Sequence, residues 1–214
     1  MMKSAARVLG WSIMTLLALL VAITSFRYFS LNPDTYFEQN RAVYVDHPIS
    51  LLSHIGGGVV AIVIGPFQFW KRFRNRHLQL HRFLGGVYLA ATVGFGAIGG
   101  LFLAPHSYGG LSTHFGFGML AALWLLTGTL AFWSILHGRV SQHREWMIRS
   151  YALTFAAVTL RLWIPVLVIL GFEFEEVYQT VAWIAWVPNL IATECFLGMT
   201  KRSASHVSTS AVDK

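Results

Sequence analysis

Residues 83–103 read FLGGVYLAATVGFGAIGGLFL and carry no charge. An α-helix rises about 1.5 Å per residue, so about 20 apolar residues cross the hydrocarbon core of a bilayer. Five further stretches meet the same condition, near 9–26, 48–70, 112–136, 146–170 and 178–199. Within hydrocarbon each must be a helix, because a helix satisfies its own backbone hydrogen bonds. The 214-residue chain is therefore expected to be an all-α membrane protein, a bundle of six transmembrane helices. Residues 1–202 read as one integral-membrane domain, and the Ser-rich tail 203–214 as a disordered polar extension. The first stretch follows Lys3 and Arg7 as a secretory signal would. Its long apolar run, with no small-residue cleavage site after it, reads instead as an uncleaved span.

Composition agrees. Hydrophobic residues make up 55% of the chain, charged residues 12%, and the mean hydropathy is +0.57. Soluble domains carry roughly 25% charged residues, and half that share does not cover a soluble globule. So much apolar area excludes intrinsic disorder, and Cys195 alone excludes a disulfide scaffold. The net charge of +7 suggests nucleic acid until the charges are located. Thirteen of the sixteen Lys and Arg residues fall on one side of the six spans: before the first, between the second and third, around the start of the fifth and after the sixth. The other side has Arg27 and Arg41 with Asp34, Glu38, Asp46, Glu173, Glu175 and Glu176, and Arg161 lies within span five. Basic residues in short loops mark the cytoplasmic side. Both termini are thus expected in the cytoplasm, the protein in the plasma (inner) membrane, and its neighbours are the lipid bilayer and anionic headgroups rather than nucleic acid. No internal repeat points to a duplicated transporter.

Nine histidines are many for so apolar a chain. Four lie at or near membrane depth: His54 two turns into span two, His81 at the start of span three, His114 at the start of span four and His143 at the start of span five. Polar side chains at such depths usually face a bundle interior or a site. They form an outer candidate pair, His54 with His114, and an inner one, His81 with His143. A haem iron held by two imidazoles needs one from each of two neighbouring helices, with small residues beside them for the flat macrocycle. Gly56, Gly57, Gly58 and Gly65 follow His54; Gly85 stands one turn after His81; Gly118 and Ala121 follow His114. The plainer reading of the glycines is close helix packing, and of the histidines, solvation near the interface. His77 and His81 also have the spacing of two zinc ligands on one helix face, which His143 or His137 would complete; alternatively, His77 simply belongs to a basic loop.

Arg161 lies two-thirds of the way through span five, where a cation needs an anion, carbonyls or water. It stands eighteen residues from His143, so on a straight helix both point the same way. It is a candidate to hold a haem propionate, a quinone-like oxygen or an anionic substrate. The bland account is snorkelling, or bonding to carbonyls near Pro165. Glu194 matches Arg149 in depth, predicting an ion pair between spans five and six. Asn189 is expected to bond across helices, Trp70, Trp146 and Trp186 to include interface anchors, and Cys195 to be a buried inert thiol. No nucleophile–base–acid set, zinc-protease motif or phosphate loop occurs.

Several segments occur together: His47-Pro48 to His54, GPFQF at 65–69, HRFLGGVY at 81–88, HREWMIRSYALTFAAVTLRLW at 143–163, and Trp186 to Asn189. This set resembles a bacterial family of predicted membrane proteins, domain of unknown function 2306. The matching residues are His54, Gly65, Gln68, His81, Arg82, Gly85, Tyr88, His143, Trp146, Met147, Arg149 and Arg161; His114 departs from the pattern. The distribution of histidines is also architecturally similar to the cytochrome b-561 type of di-haem membrane protein, which implies electrons passing between haems across the membrane. The resulting expectation is a membrane protein that carries electrons on one or two haem b groups, with His54, His81, His114 and His143 as iron ligands, Arg161 beside a propionate or substrate, and a quinone or other small redox partner. The alternatives are a non-haem permease or channel using Arg161 as its anion site, and an assembly factor whose His and Arg residues only connect helices.

Overall fold

The structure, a computed structural model, describes the backbone of residues 2–212 and the side chains of Ala5 and of residues 8–201. The side chains of Lys3, Arg7, Arg202 and His206, and all of Lys214, lie outside the described residues. The elements follow in order: α1 (Met2–Ser25), a run of short 3-10 turns, α2 (Arg41–Asp46), α3 (Pro48–Phe69), α4 (Lys71–Arg76), α5 (Leu78–Leu89), a π-helical segment (Ala90–Gly96), α6 (Ala97–Leu103), α7 (Leu111–Leu136), α8 (Val140–Thr154), α9 (Ala156–Ile169), α10 (Phe174–Ile184) and α11 (Val187–Val212). There is no strand among the described residues.

Six helical segments are long and apolar enough to cross a membrane: Val8–Ser30, Pro48–Phe69, Leu78–His106, Leu111–Leu136, Val140–Ile169 and Phe174–Lys201. Spans three, five and six begin several residues earlier than the apolar runs suggest. Their first turns are polar, so hydropathy does not mark them although the helix already exists. The last helix continues to Val212 through SASHVSTSAV, which has no glycine or proline to end it. Most of the tail expected to be disordered is therefore helical backbone, and its side chains lie outside the described residues.

The bundle packs α3 against the π-helical segment and α6, α7 against α8, and α1 against α3 and α9. The α3 crossing is close because of glycine. A Cβ at Gly57 would strike the Ala91 carbonyl oxygen and approach Gly96 N at 2.5 Å. Further along α3, Pro66 has no N–H for the Ile62 carbonyl. The Tyr151 hydroxyl donates to that carbonyl at 3.4 Å, while its ring fills the place of a side chain at Gly65. The Pro66 carbonyl in turn accepts Trp11 Nε1–H at 3.0 Å, which fixes α1.

Spans five and six are both broken, at Phe155 and at Ala185–Trp186. One asparagine joins the breaks: Asn189 Nδ2 donates to the carbonyls of Ala152 (3.2 Å) and Ala185 (3.0 Å) and to Thr159 Oγ1 (3.2 Å). The Thr159 hydroxyl also donates to the Ala185 carbonyl. Pro188 explains the break in span six, since it leaves the Ile184 carbonyl without its helical donor. The break at Phe155 means that His143 and Arg161 do not share one straight helix. At the end of the bundle rich in Lys and Arg, the basic end, Arg149 makes a two-pronged ion pair with Glu194, Nε to Oε1 at 2.6 Å and Nη2 to Oε2 at 2.8 Å. Its guanidinium also lies 4.6 Å from the Trp146 ring centroid. Arg149→Ala is expected to lower stability by roughly 2 kcal/mol, the worth of charge-assisted bonds reduced by the half-exposed position of Glu194. Unfolding in detergent measures the loss, and Arg149→Met with Glu194→Met should recover part of it.

One expectation is narrowed and another needs correction. Trp186 is buried, donating Nε1–H to the Ala182 carbonyl at 2.8 Å, because the break turns it inward rather than toward an interface. Cys195 is exposed, because α11 is a rim helix that packs chiefly against α8.

Candidate functional sites

At the basic end, α5 and α8 carry His81 and His143, and both helices pack on α3 and α7. His143 Nδ1 is 2.8 Å from the Ala131 carbonyl of α7. A carbonyl can only accept, so Nδ1 bears the proton and the Nε2 lone pair stays free. His143, Arg74 and Arg82 lie within electrostatic reach of His81. Its Nδ1 is buried with no hydrogen-bond partner, as is Nε2 of Gln68 on α3. Gln68 Oε1 is 3.3 Å from where a Cβ of Gly85 would stand, one turn along α5 from His81. Adjoining helices α3 and α5 therefore each hold one unpaired buried polar atom at this end. Buried polar atoms without partners are few in native structures and call for an explanation. Above them lies a satisfied polar layer: Tyr88 OH is 3.0 Å from both Ser150 Oγ and Thr154 Oγ1, and Trp124 Nε1–H donates to Thr154 Oγ1 at 2.9 Å.

In the other half of the bundle, His54 faces the π-helical segment. A π turn releases carbonyls from the regular ladder, and such turns are common at functional sites. Here His54 Nδ1–H donates to the Gly96 carbonyl at 2.8 Å, and Ser53 Oγ–H to the Phe95 carbonyl at 2.9 Å. The Trp124 ring stands edge-on to the imidazole at 6.3 Å, and Gly100 lies against Nδ1. His114 is elsewhere. The level of His54 is that of Ala121, which also meets Gly100, and His114 is seven residues away on α7, about 10 Å along the axis. His114 Nε2 instead bonds the Ser107 carbonyl at 2.9 Å. The structure does not bring the outer pair together, and Gly100 and Trp124 take the space a macrocycle would need. Gly57, read as room for one, is filled by the backbone of span three. His54 and His114 are thus committed to different carbonyls at different levels, whereas His81 and His143 both stand at the basic end.

His54 shares a cavity with Arg161 instead. Both line a cavity of about 90 Å³ between α1, α3 and α9, together with Ser25. Arg161 donates from Nη1 to the Ala157 carbonyl at 2.9 Å and from Nη2 to Ser25 Oγ at 3.2 Å. Sequence reading missed Ser25, an ordinary hydroxyl at the end of an apolar run, and did not place Gln68 in a site. Zinc spacing at His77 and His81 leads nowhere: among the described residues no group of three His, Cys, Asp or Glu converges.

The model of a family described as predicted membrane protein (DUF2306) matches residues 51–197, which include His54, His81, His114, His143 and Arg161. No curated protein and no solved structure matches the chain.

Proposed function

This chain belongs to the family of predicted membrane proteins DUF2306, and we propose that it is an electron carrier of the membrane holding one haem b between His81 and His143. The observation that carries this reading is the buried, unpartnered Nδ1 of His81 beside an imidazole already oriented by a backbone carbonyl. Metal-bound histidines typically give their second N–H to such a carbonyl, which fixes the ring and raises the basicity of the ligating nitrogen. Here the Ala131 carbonyl does this for His143. Gln68 of α3, with its Nε2 unpaired and its amide beside Gly85, would donate to a group bound there. Arg74 and Arg82 would balance the two acidic side groups of a haem. When bound, haem supplies one-electron chemistry at an iron whose potential is set by its two imidazoles and their burial. A quinone or another small redox partner of the membrane would exchange the electron.

A reduced-minus-oxidised spectrum of the detergent-purified protein tests the reading. A Soret band and sharp visible bands of a bis-histidine b-type haem are expected; no Soret band after expression with ample haem would overturn it. The proposal also orients the bundle, with the basic end and both termini in the cytoplasm. A carboxy-terminal green-fluorescent fusion should then fluoresce in cells and an alkaline phosphatase fusion stay inactive; the reverse pattern would refute that orientation.

A further inference from the structure

The cavity at Arg161 belongs to no part of that proposal. It lies on the far side of the break at Phe155, eighteen residues from His143, which is about 27 Å along helices. We propose that this cavity between α1, α3 and α9 binds a carboxylate, with Arg161 as its counter-ion.

Arg161 is a cation at membrane depth with no acidic partner among the described residues. The ion pairs there involve only Arg149, Lys201, Glu145 and Glu194. Its two hydrogen bonds go to neutral oxygens, and a guanidinium has five N–H donors, so three stay free. Among the described residues the one charged side chain that acts on it, Arg27, is also positive, and the tyrosines Tyr28, Tyr44 and Tyr178 and the imidazole of His54 lie within its electrostatic reach. An uncompensated cation at this depth is costly and marks a place for an anion. The planar fork of arginine matches a carboxylate with two parallel bonds.

The walls indicate what else the ligand carries. Ser25, His54 and Arg161 are polar, while Val21, Val59 and Ile62 are aliphatic. A head with charged oxygens and a short apolar tail suits this division. Binding pockets for drug-sized molecules run to about 300–1,000 Å³, so a cavity of about 90 Å³ seats only a headgroup and its first methylenes. Arg161 keeps an exposed face, so the cavity is reachable from outside the bundle. Gly58 also lines it, and a Cβ there would meet nothing within 4 Å, so the space beside it is open.

The carboxylate would come from the bilayer as a fatty acid or from water as a small acid, and two probes separate these. The purified full-length protein is titrated with radiolabelled octanoate, with acetate as competitor. Saturable octanoate binding is expected at one per chain, weakened at least tenfold in Arg161→Gln and abolished in Gly58→Leu, which fills the space without displacing backbone. Failure of acetate to compete identifies the bilayer source, and competition at similar concentrations the aqueous one. If Arg161→Gln does not fold, Gly58→Leu carries the test. Absence of saturable binding of either acid to the wild type, or undiminished binding in a folded variant, overturns the site. Haem content should be unchanged in both variants, so this result and that of the haem proposal are read separately.

Discussion

Gly57→Leu is expected to prevent the six spans from assembling into a stable bundle. The new Cβ would strike the Ala91 carbonyl and come within 2.5 Å of Gly96 N, and neither is a flexible side-chain end. Span three leans on the same crossing from its own side: a Cβ at Gly99 would lie 2.7 Å from His54 N, and one at Gly100 2.9 Å from His54 Nδ1. Relief requires α3 and span three to separate. That would also break the bonds from His54 and Ser53 to the carbonyls released by the π-helical segment. Overpacking in a core costs about 1–3 kcal/mol when side chains can yield, and more when they cannot; the backbone clash here puts the loss at roughly 3 kcal/mol or beyond. Small residues are what allow membrane helices to approach so closely. Size-exclusion profiles and detergent unfolding midpoints give the readout. Gly58→Leu, one residue on and facing open space, is the matched control for packing and should keep the wild-type size-exclusion profile and unfolding midpoint. A Gly57→Leu protein as monodisperse and as stable as that control would contradict the packing described.

The second large effect concerns the imidazoles. His81→Ala and His143→Ala should each reduce bound haem at least tenfold, since even losing an outer partner of a metal site costs 10–100-fold in affinity. His54→Ala should leave haem content near that of wild type, because its ring is committed to Gly96 on the other side of the bundle. His114→Ala should do the same, its ring being bonded to Ser107. Equal haem loss in all four variants would point to general unfolding, which the unfolding midpoints would reveal.

Different parts of the molecule were legible in the sequence to different degrees, for physical reasons. Spans are legible because crossing hydrocarbon is a local requirement on length and polarity, met or failed within about 20 residues. Depth is nearly as legible: counting from span ends foresees the Arg149–Glu194 pair. Asn189 is also foreseen as a cross-helix bond. Azimuth and helix breaks are not legible. The break at Phe155 depends on a side chain from span six reaching the Ala152 carbonyl, and the π-helical segment on a histidine from span two. Both are tertiary bonds between residues far apart in sequence. The glycines after His54 suit a cofactor and a close helix crossing equally well, and only the position of span three decides between them. The fault in the outer pair was to judge His54 and His114 by nearness to a span end, when two turns of α7 separate them.

The most direct measurement is the ratio of haem to polypeptide in protein purified after expression with ample haem, from pyridine haemochrome absorbance against quantitative amino-acid analysis. One haem per chain is predicted, held by the pair at the basic end. Two per chain would mean that His54 and a partner accept the second haem for which no room was found, and none would remove the electron carrier altogether.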